Sequence, residues 1–194
     1  MSLLQQAGFL LRITDSHKIA RRYFVVNGFD GALTMLGLII GFLVSRPAEI
    51  EIIINVCLGA AIALGMSGMS SAYLSEAAER KHALGKLEEA MVADLQESAH
   101  GDAARWLPVF IALVNGLAPF IISLLVLIPL WLSNAGVVLP LSPLYAAIAI
   151  ALLLVFLLGI FLGRIAGISW LRSGLQTLLI AIVTAMFIYL LTGN

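Results

Sequence analysis

The chain has 194 residues, of which 61% are hydrophobic and only 11% are charged, and its eleven basic and eleven acidic residues cancel. This apolar fraction lies far outside the range of soluble domains, so the sequence predicts an integral membrane protein. A net charge of zero gives no basis for nucleic-acid binding. The single cysteine, Cys57, excludes a disulfide within the chain.

An apolar helix of about 20 residues is long enough to cross a bilayer core about 30 Å thick. The sequence therefore predicts an all-α membrane protein with five transmembrane helices. They lie at about residues 23–44, 51–74, 106–132, 143–163 and 171–191. The third span contains interior prolines and is predicted to be kinked, which a membrane helix tolerates when neighbouring helices satisfy its backbone.

These spans divide the chain into four parts. Residues 1–22 are predicted to form an amphipathic interfacial helix, 23–74 the first two transmembrane helices, 75–105 an acidic helical segment, and 106–194 the last three transmembrane helices. Ten of the eleven basic residues lie on one side of this arrangement, and only Arg46 lies on the other. Because basic loops remain in the cytoplasm, we predict a cytoplasmic N-terminus and acidic segment, and a C-terminus outside.

The first predicted span contains one charged residue, Asp30. A carboxylate inside a membrane helix costs a few kcal/mol or more to insert, so it is expected to serve a function. At about 100° per residue, its helix face also carries Asn27 and Thr34, followed by Gly37 and Gly41. The two glycines allow another helix to approach closely, and we predict that they pack in a homodimer. The alternative is a packing face whose Asp has a hydrogen-bond partner.

Several polar and sulfur-bearing residues lie at a similar depth, roughly 10 Å from the cytoplasmic side. The predicted transport-pathway residues are Asn27, Asp30, Thr34, Met66, Met69, Ser70 and Asn115. Mixed oxygen and thioether ligands suit Fe²⁺ or Mn²⁺ better than Mg²⁺ or Ca²⁺, although methionine also fills gaps in cores. A cation and a proton would compete for Asp30, which is the minimum requirement for exchanging one for the other.

The acidic segment contains two Glu-x-x-His pairs, Glu79 with His82 and Glu97 with His100. On a helix, this spacing places a carboxylate and an imidazole on one face, as in di-iron bundles. These four residues are candidate metal ligands. The second transmembrane helix is predicted to continue into the cytoplasm and to break at Gly85. The alternative to metal binding is that the segment is a solvated pair of amphipathic helices.

Two motifs, NGFDG at residues 27–31 and MSGMSSAYLSEAAE at residues 66–79, resemble the vacuolar iron transporter family. The first, Asn27-Gly28-Phe29-Asp30-Gly31, is similar to the Asn-Asp-Gly region that opens the family's first helix. The second, MSGMSSAYLSEAAE at residues 66–79, is similar to the Met-rich turn, Gly-Glu-Tyr-x-Ser and Ser-Glu pair of its second helix. Ala72 stands where the family has Glu. Five spans with a soluble segment between the second and third are also similar.

The resemblance implies a homodimeric, proton-coupled exporter of Fe²⁺ or Mn²⁺. Asp30 would be the pathway carboxylate and Met69 the pathway thioether. Glu79 would lie at the inner mouth, in the acidic region that feeds the pathway. Glu76 in the same region is a further candidate metal ligand. The expected partners are the metal ion, protons, the lipid bilayer and a second copy of the chain.

No phosphate-binding loop, zinc-protease motif or nucleophile elbow occurs, so we expect no enzyme activity and no permanently bound cofactor. The expected location is the plasma membrane in a prokaryote and the vacuolar membrane in a eukaryote. Two alternatives stay open. One is a transporter of the same fold for a different substrate, which Ala72 favours. The other is a non-transporting membrane metal sensor or scaffold, in which the acidic segment binds the metal.

Overall fold

The computed structural model describes residues 16–45 and 49–193, and over these residues it consists of helices and their connections. The helices are α1 (Ser16–Ser45), α2 (Ile50–Met91), α3 (Ala99–Asn134), α4 (Pro143–Ala166) and α5 (Trp170–Thr192). Five helices in the described ranges are long and apolar enough to cross a membrane. The prediction of an all-helical membrane protein with five spans is therefore confirmed, and each predicted span lies within one of these helices.

The second helix is much longer than a membrane crossing requires. It has 42 residues, which at 1.5 Å per residue is about 63 Å, or about twice the thickness of the hydrocarbon core. The predicted break at Gly85 is wrong, because α2 continues to Met91. One interior glycine costs a helix only about 1 kcal/mol, and the neighbouring Leu84 is buried, so packing holds this stretch in the helix.

Residues 92–98 connect α2 to α3 and are held by side chains at both ends. The Glu88 carboxylate accepts hydrogen bonds from the Leu95 amide (3.1 Å) and the Gln96 side chain (3.3 Å). At the other end, the Ser98 hydroxyl accepts from the amides of His100 (3.2 Å) and Gly101 (3.4 Å). Ser98 thus caps the N-terminus of α3, a position that serine favours.

The predicted interfacial helix lies mostly outside the described residues, which begin at Ser16. Lys18, Arg21 and Arg22 belong to the first turns of α1. The helix continues through residue 22 without interruption, so these basic residues belong to the same helix as the first membrane span.

The chain divides into two compact units. The first comprises Gly65–Leu117 with the described residues of Met1–Phe24, and the second comprises Val25–Leu64 and Ala118–Asn194. All five helices contribute to the apolar core of the second unit, including Leu36 of α1, Cys57 of α2, Leu127 of α3, Ala151 of α4 and Ala181 of α5. In the first unit, the C-terminal part of α2 and the N-terminal part of α3 supply most of the residues.

Helices α4 and α5 form a tight hairpin in the second unit. Their connection begins at Gly167, whose positive φ of 68° ends α4 in the left-handed conformation that glycine adopts without strain. Gly159 of α4 packs so closely that an added Cβ would lie 2.9 Å from Cα of Gly174 in α5. The Thr177 hydroxyl lies 3.2 Å from the Val155 carbonyl, which adds a polar contact between the helices.

Candidate transport site

Helix α1 has one buried face and one uncovered face. The buried face includes Ala32, Met35 and Ile39, none of which has any exposed surface. Asp30 is exposed, and the other residues of its predicted face are half-buried. They are Asn27, Thr34, Gly37 and Gly41. The expected polar face therefore exists, but the Asp30 carboxylate is not buried within the described chain.

Glycines on the buried face fix this orientation of α1. A Cβ added to Gly31 would lie 2.6 Å from the carbonyl oxygen of Pro119 in α3, so only glycine fits the crossing. A Cβ on Gly28 would meet the Leu158 side chain of α4 at 3.2 Å. Because α1 packs here against α3 and α4, Asp30 is left facing away from them.

The two glycines of the predicted dimer surface differ in their surroundings. A Cβ on Gly37 would lie 3.3 Å from Ile188 of α5 in the same chain. Gly37 therefore already has a packing partner within its own unit. No heavy atom lies within 4 Å of a Cβ added to Gly41, so this part of α1 has room for a neighbour. The predicted dimer contact at both positions stays a prediction.

The predicted pathway residues of α2 and α3 belong to the first unit. Met66, 56% exposed, and Ser70 lie on an uncovered face of α2, and Met69 is half-buried. Close to Met69, α3 approaches α2 through Gly116, whose added Cβ would lie 2.8 Å from the Met69 Cβ. The Met69 thioether is thus carried on a tightly packed part of α2.

Asn115 forms a hydrogen bond between two helices. Its side chain is buried, and its Nδ2 donates to the Gly68 carbonyl of α2 at 2.6 Å. An amide in this position stabilises the crossing of α2 and α3, because a polar group in an apolar environment needs a partner. The structure therefore gives Asn115 a packing role that the sequence did not predict.

The seven predicted pathway residues are divided between the two units. Asn27, Asp30 and Thr34 follow one another along α1 in the second unit. The remaining pathway residues, Met66, Met69, Ser70 and Asn115, belong to the first unit, where Met69 and Asn115 flank the α2–α3 crossing.

The two Glu-x-x-His pairs have different local structures. Glu79 and His82 are both exposed and lie one turn apart on α2, as predicted. Glu97 and His100 do not share a helix, and that part of the prediction is wrong. Helix α3 begins only at Ala99, because Ser98 caps it and leaves Glu97 in the preceding turn. Only the first pair has the helical spacing on which the metal-binding hypothesis rests.

Glu76 is the one buried carboxylate among the described residues, with 6% of its surface exposed. Its Oε2 lies 3.5 Å from Nε of Arg80, one turn further along α2. A Glu and an Arg four residues apart on a helix form a favourable pair, so this spacing could have been recognised in the sequence. To bind a metal ion, the Glu76 carboxylate would have to exchange Arg80 for the cation.

Among the residues that the structure describes, no three His, Cys, Asp or Glu side chains come together as a metal-binding group. The candidate metal ligands within this part of the chain are instead separate features. They are Asp30 on α1, Met69, Glu76, Glu79 and His82 on α2, Glu97 in the connection, and His100 on α3. No single one of these positions provides enough ligands to hold a metal ion.

The helices define an integral membrane protein. No family model and no solved structure matches the chain. Its sequence is similar to that of an uncharacterized protein of Methanocaldococcus jannaschii, with 28% identity over 173 residues. The match covers 88% of this chain and 87% of that protein, so the similarity extends over most of both chains.

Proposed function

We propose that the chain is a secondary transporter that exports a divalent transition metal, Fe²⁺ or Mn²⁺, from the cytoplasm in exchange for protons. The observation that carries the proposal is the exposed carboxylate of Asp30 within the first membrane span. Asp30 lies about 15 Å along the helix from Ala20, where the span begins. At that depth a carboxylate facing lipid is costly, so its face is expected to border a polar path.

A second copy of the chain is the proposed neighbour of this face. Two α1 helices meeting along it would place two carboxylates beside one path, which doubles the negative charge available to a divalent cation. The open space at Gly41 supports a close approach at the outer part of the helix. This arrangement would also remove Asp30 from contact with lipid.

Exchange requires a carboxylate that can bind either a cation or a proton. Ionised Asp30 supplies hard oxygen to the cation, and protonation discharges it and releases the cation. Independently of Asp30, the exposed thioether of Met66 and the half-buried Met69 on α2 offer soft sulfur to a passing cation, which favours Fe²⁺ or Mn²⁺ over Ca²⁺. The excess of basic residues on the N-terminal side favours a path that begins in the cytoplasm.

The direct test is transport by the purified protein in liposomes. We expect Fe²⁺ or Mn²⁺ movement accompanied by opposite proton movement, measured with a metal-sensitive and a pH-sensitive dye. Asp30→Asn keeps the side-chain size and removes the charge, and its flux should fall to that of protein-free vesicles. Glu51→Gln is the matched control, because Glu51 is also exposed but lies in the first turn of α2 outside the proposed path. Metal flux that persists in Asp30→Asn would refute the assigned role.

A carrier of the same architecture for a different substrate is the second candidate. It is favoured by Ala72, a buried methyl group at the position where the resembled family has a carboxylate. Thermal unfolding separates the two candidates. Stabilisation by Fe²⁺ or Mn²⁺ that disappears in Asp30→Asn supports the metal exporter. Stabilisation by a metal-free compound with the same dependence on Asp30 supports the second candidate.

A further inference from the structure

The C-terminal half of the chain carries an unbalanced positive charge. Residues 106–194 contain two charged side chains, Arg164 and Arg172, and no carboxylate side chain. Both arginines are exposed, at the end of α4 and the start of α5. Within the part of the chain that the structure describes, neither forms an ion pair or a side-chain hydrogen bond. The N–H donors of two guanidinium groups at one membrane boundary are therefore available to bind a ligand.

Arg172 also lines a shallow, open groove of about 400 Å³, whose lining residues all belong to α5 or to Ser169 just before it. Three polar residues and three leucines line it: Ser169, Arg172, Gln176, Leu171, Leu175 and Leu179. Ser169 and Arg172 lie at the boundary end of the helix, and Gln176 lies one turn deeper, next to Leu175 in the sequence. Leu179 lies seven residues beyond Arg172, which is about 10 Å deeper along the axis. The groove is thus charged at its boundary end and apolar at its deepest lining residue, Leu179.

This change in polarity along the groove matches a phospholipid. A guanidinium group binds phosphate through two parallel hydrogen bonds, and Gln176 and Ser169 add neutral donors beside it. The leucines would then contact an acyl chain, which a soluble anion does not have. Trp170 is 49% exposed at the same level, and tryptophan is enriched where membrane spans meet the headgroup region.

We propose that this groove binds one anionic phospholipid from the leaflet that contains the α4–α5 connection. The Arg172 guanidinium selects an anionic headgroup over a zwitterionic one, because it forms no ion pair with a carboxylate among the described residues. The site is independent of the transport proposal, since it uses neither Asp30 nor the other pathway residues.

The test is native mass spectrometry of the purified full-length protein with equal amounts of phosphatidylglycerol and phosphatidylcholine of matched acyl chains. The wild type should retain phosphatidylglycerol about fivefold better. Arg172→Gln should lose this preference. Arg164→Gln is the matched control, because it removes the same charge from the same end of the α4–α5 hairpin but from outside the groove, and it should keep most of the preference. Leu179→Gln should weaken retention while leaving the charge intact.

Three results would overturn the proposal. The first is equal retention of the two lipids by the wild type. The second is an equal loss in Arg164→Gln and Arg172→Gln, because it would indicate a general charge effect without a groove. The third is release of phosphatidylglycerol by an equal concentration of inorganic phosphate, because it would identify a site for free phosphate. Each variant should first show the wild-type unfolding temperature, as expected for an exposed side chain.

Discussion

Replacing Gly31 with alanine tests the packing that orients Asp30. The added Cβ would lie 2.6 Å from the carbonyl oxygen and 2.8 Å from the Cα of Pro119. Both atoms belong to the backbone of α3, so no side-chain rotation relieves the overlap. Forcing such a group into a packed contact costs about 1–3 kcal/mol. The better helix propensity of alanine recovers about 1 kcal/mol, which leaves a net loss in the free energy of unfolding of about 1 kcal/mol.

Gly59→Ala is the matched control for this substitution. Gly59 also lies within a membrane-spanning helix, but no heavy atom lies within 4 Å of its added Cβ. Alanine should therefore raise the free energy of unfolding by about 1 kcal/mol. The two variants differ by about 2 kcal/mol, or about 6 °C in Tm for a chain of this size. Thermal unfolding of the purified variants in one detergent measures this difference.

Equal unfolding temperatures for Gly31→Ala and Gly59→Ala would refute the argument. That result would mean that α1 and α3 do not approach as closely at Pro119 as the structure has them. A lower Tm for Gly31→Ala together with reduced transport would connect this crossing to the position of Asp30.

Two further predictions concern helix contacts. Asn115→Leu removes the hydrogen bond to Gly68 and should lower the free energy of unfolding by about 1 kcal/mol in a thermal scan; an unchanged Tm would argue against a stabilising bond. Gly41→Cys in a Cys57→Ala background should form disulfide-linked dimers on oxidation, whereas Gly59→Cys should not, as seen on non-reducing gels. Equal cross-linking at both positions, or none at Gly41, would contradict the proposed α1 dimer.

The sequence predicted the spans and the two faces of α1 because both depend on local patterns. A run of apolar residues sets the length of a membrane helix, and the helical period places Asp30 with Asn27 and Thr34. The orientation of that face depends on Gly31 meeting Pro119, which are distant in sequence. No local pattern specifies such a contact, so the exposure of Asp30 could not be predicted.

The two wrong predictions for the acidic segment both concern where a helix ends or begins. The sequence predicts a break of α2 at Gly85, but one glycine destabilises a helix too little to outweigh the packing of its buried neighbour. The Glu-x-x-His spacing predicts one helix for Glu97 and His100, although Ser98 between them is a residue type that favours the cap position. The ion pair between Glu76 and Arg80 was missed, even though its four-residue spacing is visible in the sequence.

The α4–α5 hairpin has a consequence for the assembly of the protein in the bilayer. Its two helices are joined by residues 167–169 only, so bringing them together closes a very short loop and costs little chain entropy. The contacts of Gly159 and Gly174 then form between segments that are close in sequence. We expect this pair to dock soon after insertion and to provide a preformed surface onto which the earlier helices assemble.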